Sequence, residues 1–182
     1  MESATTAVIA VDLGGSKVRA ALIAAGKIIF RVGTANTFAD GADNVVQRIK
    51  ATTGAVLASG AAKEYDIQGI GVSAAGQVDA HTGRVVGSCL PDSDWIGVDL
   101  AHELIEAFSL PTKVDNDVNA AALGEFVYGA GKGYSNLLCL AIGTGVGGGV
   151  IIDGEVYRGG KGCAGEFGHM SVDFDGVKCH CG

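Results

Sequence analysis

Asn116 and Asp117 stand where a short apolar run, Thr112–Asp115, gives way to a helical pattern starting at Val118. An Asp at a helix N-terminus commonly acts as a cap. The same position also suits a proton acceptor, because the helix dipole favours an ionised carboxylate there. In phosphoryl transfer the protein mainly positions and neutralises, while one carboxylate orients the attacking hydroxyl and takes its proton. Asp117 is the candidate for that base, and Asn116 could bond the same substrate. A second polar pair, Glu166 and His169, lies in the glycine-flanked stretch Gly165-Glu166-Phe167-Gly168-His169. Each alone is usually solvated or structural; together they can bind hydroxyl groups. His169 is followed by Cys179-His180-Cys181. His plus Cys-x-Cys supplies three ligands soft enough for zinc, where a structural site wants four. His180 would be a sterically awkward fourth. Glu125 reads as structural, and Cys89, Cys139 and Cys163 read as small buried hydrophobes.

Two glycine-rich turns carry the remaining chemistry. Asp12-Leu13-Gly14-Gly15-Ser16-Lys17 follows an apolar run. Glycines there let backbone N–H groups face an anion, and Asp12 could hold magnesium directly or through water. An ordinary hairpin with a polar turn is the plainer alternative. The second turn, Gly143-Thr144-Gly145-Val146-Gly147-Gly148-Gly149, formally matches G-x-G-x-x-G. That fingerprint requires a helix to open at the loop, and Val150-Ile151-Ile152 reads instead as a strand. No Gly-Lys-Ser/Thr closes the turn, so a P-loop is excluded as well. What survives is a strand–turn–strand that can clasp a phosphate between N–H groups and the Thr144 hydroxyl. One such hairpin in each half would face a polyphosphate from both sides.

The elements that must position these residues follow from periodicity. Ala7–Val11, Val18–Ile23 and Lys27–Val32 read as a three-stranded meander with Ala25-Gly26 as a turn. Ala39–Ser59 carries Val45, Val46, Ile49, Val56 and Leu57 on one helical face. Ile67–Ser73 is a strand, and Gly76–Val86 a hairpin with Thr82-Gly83 at its tip. Asp99–Phe108 is a helix capped by Asp99, followed by the strand Thr112–Asp115 and the helix Val118–Tyr128. Leu137–Ile142, Gly147–Ile152 and Glu155–Tyr157 form a second meander around an Asp153-Gly154 turn. The order β-β-β-α-β-α-β-α, then β-β-β again, predicts an α/β architecture that restarts at about residue 118–136.

Composition narrows the function classes. Glycine supplies 30 of 182 residues, and 48% of the chain is hydrophobic against 18% charged. Disorder driven by charge is excluded, and no Gly-X-Y period is present. The net charge of -7 argues against nucleic acid or an anionic membrane as partner. The uncharged run Gly133–Ile152 is long enough to raise the membrane question, but its glycines split it into two strands. Met1–Thr6 has no basic n-region, so the reading is a reduced, cytoplasmic setting with thiol or metal chemistry rather than disulfides.

Five motifs in this order resemble the ROK family of sugar kinases and regulators. They are Asp12–Lys17, Asn116–Glu125, Gly143–Gly149, Glu166-Phe167-Gly168-His169 and Cys179-x-Cys181-Gly182. The family includes glucokinases and N-acetylmannosamine kinases. The resemblance implies the actin/hexokinase-like, ribonuclease H-like two-lobe ATPase fold, with 1–117 as the N-terminal lobe and 118–182 as the start of the second. It also implies roles. Asp12, Gly14, Gly15 and Lys17 match the first phosphate motif; Gly143, Thr144 and Gly145 match the second. Asp117 matches the catalytic base, and Asn116, Gly76, Glu166 and His169 match sugar contacts. His169, Cys179 and Cys181 match zinc ligands. The implied reaction moves the γ-phosphoryl of ATP, with Mg2+, to the 6-hydroxyl of a hexose or N-acylhexosamine.

The family's zinc motif continues C-x-C-G-x-x-G-C, whereas this sequence stops at Gly182. The expectation is a second lobe cut short, in a chain that would otherwise run to roughly 300 residues. The family often forms homodimers through that lobe. A sugar-sensing regulator of the same family is the second reading; with the first strand near Ala7, no room is expected for its DNA-binding domain. Another actin-like ATPase is the third, and it has no use for Glu166, His169 and the Cys-x-Cys pair. Trp95 and the 88–95 segment are expected to approach the sugar pocket.

Overall fold

The computed structural model describes residues 5–36, 38–88, 94–143, 145–160, 162–179 and 181. Contacts divide the chain into two compact units, Met1–Asp117 and Val118–Gly182.

The first unit is a five-stranded mixed sheet in the order β3-β2-β1-β4-β7. Strands β1 (Thr5–Leu13), β2 (Lys17–Ala24) and β3 (Lys27–Ala35) form the antiparallel meander. Strand β4 (Tyr65–Ala74) adds parallel to β1, and β7 (Thr112–Asn116) parallel to β4. Alternation decides which face is buried. Ala7, Ile9, Val11 and Leu13 of β1 and Val18, Ala20, Leu22 and Ala24 of β2 all point into one core. Two helices contribute to it: α1 (Ala42–Leu57) with Val45, Val46, Ile49 and Val56, and α2 (Leu100–Phe108) with Leu100 and Leu104.

The expected helix over 39–59 is divided. Phe38–Asp40 is a single 3-10 turn, and Gly41, at φ 88, breaks the chain before α1. Gly41 has no side chain to cap the helix, so Asp94 does it from a distance, its Oδ2 accepting from the Ala42 N–H at 2.9 Å. Asp99 caps α2 as expected, accepting from the His102 N–H. The hairpin of β5 (Gln77–Asp79) and β6 (Arg84–Gly87) turns on Asp79. The His81 N–H and then the Thr82 hydroxyl bond its carboxylate and hold its pKa below the ordinary value.

Helix α3 (Asp117–Tyr128) leads into the second unit, a three-stranded antiparallel sheet in the order β10-β9-β8. Its strands are β8 (Leu137–Ile142), β9 (Val146–Ile152) and β10 (Glu155–Val156). The uncharged 133–152 run thus becomes two strands around a turn, and no described helix is long and apolar enough to cross a membrane. The glycines of β9 serve packing. A Cβ on Gly149 would lie 2.7 Å from Ala122 Cβ, and one on Gly147 would lie 2.5 Å from Val118 Cγ2. On the opposite face, a Cβ on Gly148 would collide with the Gly165 carbonyl and the Phe167 ring. Helix α3 and the Glu166 loop therefore both approach β9 because it lacks side chains there. Cys139 is half-buried, but Cys163 is exposed, against the expectation of a buried hydrophobe; Cys89 lies outside the described residues.

Candidate functional site

Strand register sets the first half of the site. Leu13 of β1 pairs with Ala74 of β4, and Ala74 pairs with Asn116 of β7. Gly14, Ala75-Gly76 and Asp117 therefore follow the carboxyl ends of three adjacent parallel-connected strands, where open α/β sheets bind ligands. Gly76 has φ 99, and a Cβ there would meet the Gly87 carbonyl oxygen at 2.6 Å, so only glycine fits. Its carbonyl accepts from Asn116 Nδ2 at 2.9 Å, and the same amide donates to Asp117 Oδ1 at 3.0 Å. Asn116 thus ties the Gly76 loop to Asp117, which opens α3.

Trp95, expected to approach the sugar pocket, is buried against the loop that carries Gly76 rather than exposed beside it. It is fully buried, its ring meets Phe38 edge-on at 5.4 Å, and its indole N–H donates to the Ala75 carbonyl at 3.1 Å. It supports the Gly76 loop from behind. Residues 89–93, which share the segment, lie outside the described residues.

The first glycine turn closes on itself, Gly14 N–H donating to the Lys17 carbonyl at 2.9 Å. That N–H is therefore committed to the turn rather than offered to an anion. A Cβ on Gly15 would meet nothing within 4 Å, so the turn leaves open space at that point. Asp12 pairs with Arg19 at 3.0 Å across the β1–β2 ladder, both side chains being about half exposed. Arg19 was missed in the sequence reading, although alternation on β2 puts it on the face of Lys17. A single carboxylate beside phosphate oxygens is a common magnesium site, so Asp12 fits that ion with Arg19 as its competitor.

The second turn repeats this closure, Gly143 N–H donating to the Gly145 carbonyl at 2.8 Å. A Cβ on Gly143 or Gly145 would meet nothing within 4 Å. Thr144, expected to bind phosphate, lies outside the described residues.

In the same unit His169 faces two ways. Its Nε2 lies 3.7 Å from Glu166 Oε2, and its Nδ1 lies 3.1 Å from Cys181 Sγ and 3.8 Å from Cys179 Sγ. One ligand atom from each of His169, Cys179 and Cys181 falls within 4.8 Å of the others. Tetrahedral zinc with Zn–N of about 2.05 Å and Zn–S of about 2.3 Å separates nitrogen from sulfur by about 3.6 Å, and the two Nδ1–Sγ distances lie on either side of that value, so these three donors suit three of the ion's four positions. The Cys181 N–H, followed by its thiol, draws the Cys179 pKa below the ordinary thiol value, with a smaller pull from His169. His180 lies outside the described residues. Glu125 is structural, as read: its Oε2 accepts from the Ala130 N–H at 2.9 Å just past α3.

A sequence model of the ROK family matches residues 8–182. The chain belongs to the ROK family. This ROK chain is 37% identical over 177 residues to a glucokinase of Streptomyces coelicolor, covering 96% of itself and 52% of that protein. It is also 42% identical over 118 residues to a xylose repressor of Bacillus spizizenii, covering 65% of itself and 30% of the repressor. Among solved structures, a ROK glucokinase from Streptomyces griseus in complex with glucose and AMPPNP superposes with a TM-score of 0.82 at 37% identity. That match covers 97% of the ROK chain and 54% of the glucokinase. The ROK chain has the actin/hexokinase-like fold, a mixed sheet with helices, and spans about half the length of these glucokinases.

Proposed function

We propose that this ROK chain contributes sugar and phosphate groups to an ATP-dependent kinase acting on the 6-hydroxyl of a hexose or N-acylhexosamine, glucose or N-acetylmannosamine foremost. The observation that carries the reading is Asp117 at the first turn of α3, its carboxylate oriented by the Asn116 amide. A sugar sensor needs hydroxyl ligands but no proton acceptor; a kinase needs both. Residues 1–117 act as the N-terminal lobe and 118–182 as the beginning of the C-terminal lobe.

In this mechanism Asp117 accepts the 6-hydroxyl proton as the oxygen attacks the γ-phosphorus, and Asn116 and Gly76 hold the sugar loop beside it. Glu166 and His169 bind ring hydroxyls. The turns at Gly14-Gly15 and Gly143–Gly145 give the phosphates close access to backbone, with Lys17 as a nearby cation. Magnesium neutralises phosphate charge when bound, and Asp12 is the residue that would hold it. Zinc would sit on His169, Cys179 and Cys181. Its ligation through Nδ1 would leave Nε2 carrying the proton, ready to donate toward Glu166 or a sugar hydroxyl. A donor such as ATP fits a cytoplasmic setting.

The test is a coupled assay on the complete gene product with glucose, N-acetylmannosamine, N-acetylglucosamine and fructose. Asp117→Asn is expected to lower kcat about 10²–10⁴-fold with little change in sugar KM. Undiminished turnover removes Asp117 from the base role. The likeness to a xylose repressor favours one other reading, a sugar-responsive regulator. Sugar binding without ADP release from any of the four substrates would select it.

A further inference from the structure

Asn36 follows β3 and was not singled out by the sequence, yet its side chain is only 7% exposed. Its backbone N–H donates to the Ser16 carbonyl at 2.9 Å, and its Nδ2 donates to the Gly14 carbonyl at 3.1 Å. Its Oδ1 accepts from Arg48 Nη1 at 3.5 Å, and Arg48 is ion-paired with Asp40. The first glycine turn is therefore held by two of its own carbonyls on one buried side chain and its backbone. The peptide plane explains what this does. The Gly14 carbonyl and the Gly15 N–H belong to one trans peptide and point in opposite directions. Pulling the carbonyl toward Asn36 aims the Gly15 N–H away from it. Glycines resist no rotation of that plane by themselves, so an external anchor is needed if the N–H is to be pre-aimed.

We propose that Asn36 is a positioning residue for nucleotide: it fixes the Gly14–Gly15 peptide so that the Gly15 N–H is set to receive a phosphate oxygen. This rests on the kinase reading for the identity of the ligand. A residue that only stabilised the end of β3 would serve equally well as any side chain of the same shape. The donor to Gly14 is what distinguishes the two roles.

Asn36→Asp keeps the shape, the backbone bond to Ser16 and the acceptor for Arg48, but loses the donor. Asn36→Leu loses the same donor without adding charge. In the complete gene product both variants are expected to raise KM for ATP about tenfold, the size of one lost hydrogen bond. KM for the sugar should stay within about twofold. Calorimetric AMPPNP affinity should fall by the same factor as KM rises. Unchanged nucleotide affinity in Asn36→Leu overturns the proposal, as does an equal rise in both KM values. If the unaltered protein phosphorylates no sugar, the kinase reading fails separately. The AMPPNP affinities of the two variants then still decide for or against the anchor.

Discussion

Thr53 has its hydroxyl buried in α1 without a hydrogen-bond partner, whereas the neighbouring Thr52 returns its hydroxyl to the Arg48 carbonyl at 2.7 Å. A buried unsatisfied hydroxyl costs stability that a methyl group of similar size does not. Thr53→Val should raise unfolding free energy by about 1 kcal/mol, read as a higher urea midpoint at constant slope; a lower midpoint would show that the hydroxyl is satisfied in solution. At this scale the sequence was an uneven guide. The strand-to-helix junction at Asn116-Asp117 was legible because an apolar run gives way there to a helical pattern. Asn36 was not, because an asparagine after a strand looks like any loop residue until β2 and β3 bring it back beside Gly14. Trp95 was expected near the pocket as a lining residue would be, whereas its indole N–H has a backbone partner that allows full burial.

Period-2 and helical spacing made the elements readable: the Val45, Val46, Ile49 and Val56 stripe and both meanders stand where the pattern put them. Spacing could not separate two uses of glycine. Gly145 and Gly149 look alike in the sequence, but one borders open space and the other lies under α3. Gly149→Ala should cost about 1–3 kcal/mol, since its Cβ meets the Val118 carbonyl oxygen at 2.8 Å and backbone cannot swing aside. Gly145→Ala should leave the urea midpoint unchanged, because its Cβ meets nothing within 4 Å. Equal effects from the two substitutions would remove the distinction. The break before α1 escaped notice for a related reason: the capping side chain, Asp94, lies 52 residues away from the N–H it serves.

For the molecule as a whole, the metal reading makes a pH-dependent claim. The lowered pKa of Cys179 means its thiolate persists to lower pH than an ordinary thiolate. Zinc is expected at about one equivalent at neutral pH and is lost on acidification, where protons compete with the metal for His169, Cys179 and Cys181. Cys179→Ser and Cys181→Ser should each lower zinc content, measured by elemental analysis. Unchanged zinc in the double substitution would sink the assignment. The family and fold could be read from five ordered motifs, because each combines residue types that chance seldom puts together. The order of strands β3-β2-β1-β4-β7 then placed two of those motifs, with the Gly76 loop between them, at the carboxyl ends of adjacent strands.

Trp95 is the one tryptophan in the sequence, and its indole is bonded to the carbonyl beside Gly76. Its emission comes from a single environment, shielded from water and touching the backbone of the loop assigned to sugar. The chain thus carries an intrinsic optical gauge of that loop. If the Gly76 loop receives sugar, a titration of this chain can be read in that emission without a label, as a change at one buried indole packed on Phe38 and bonded to Ala75.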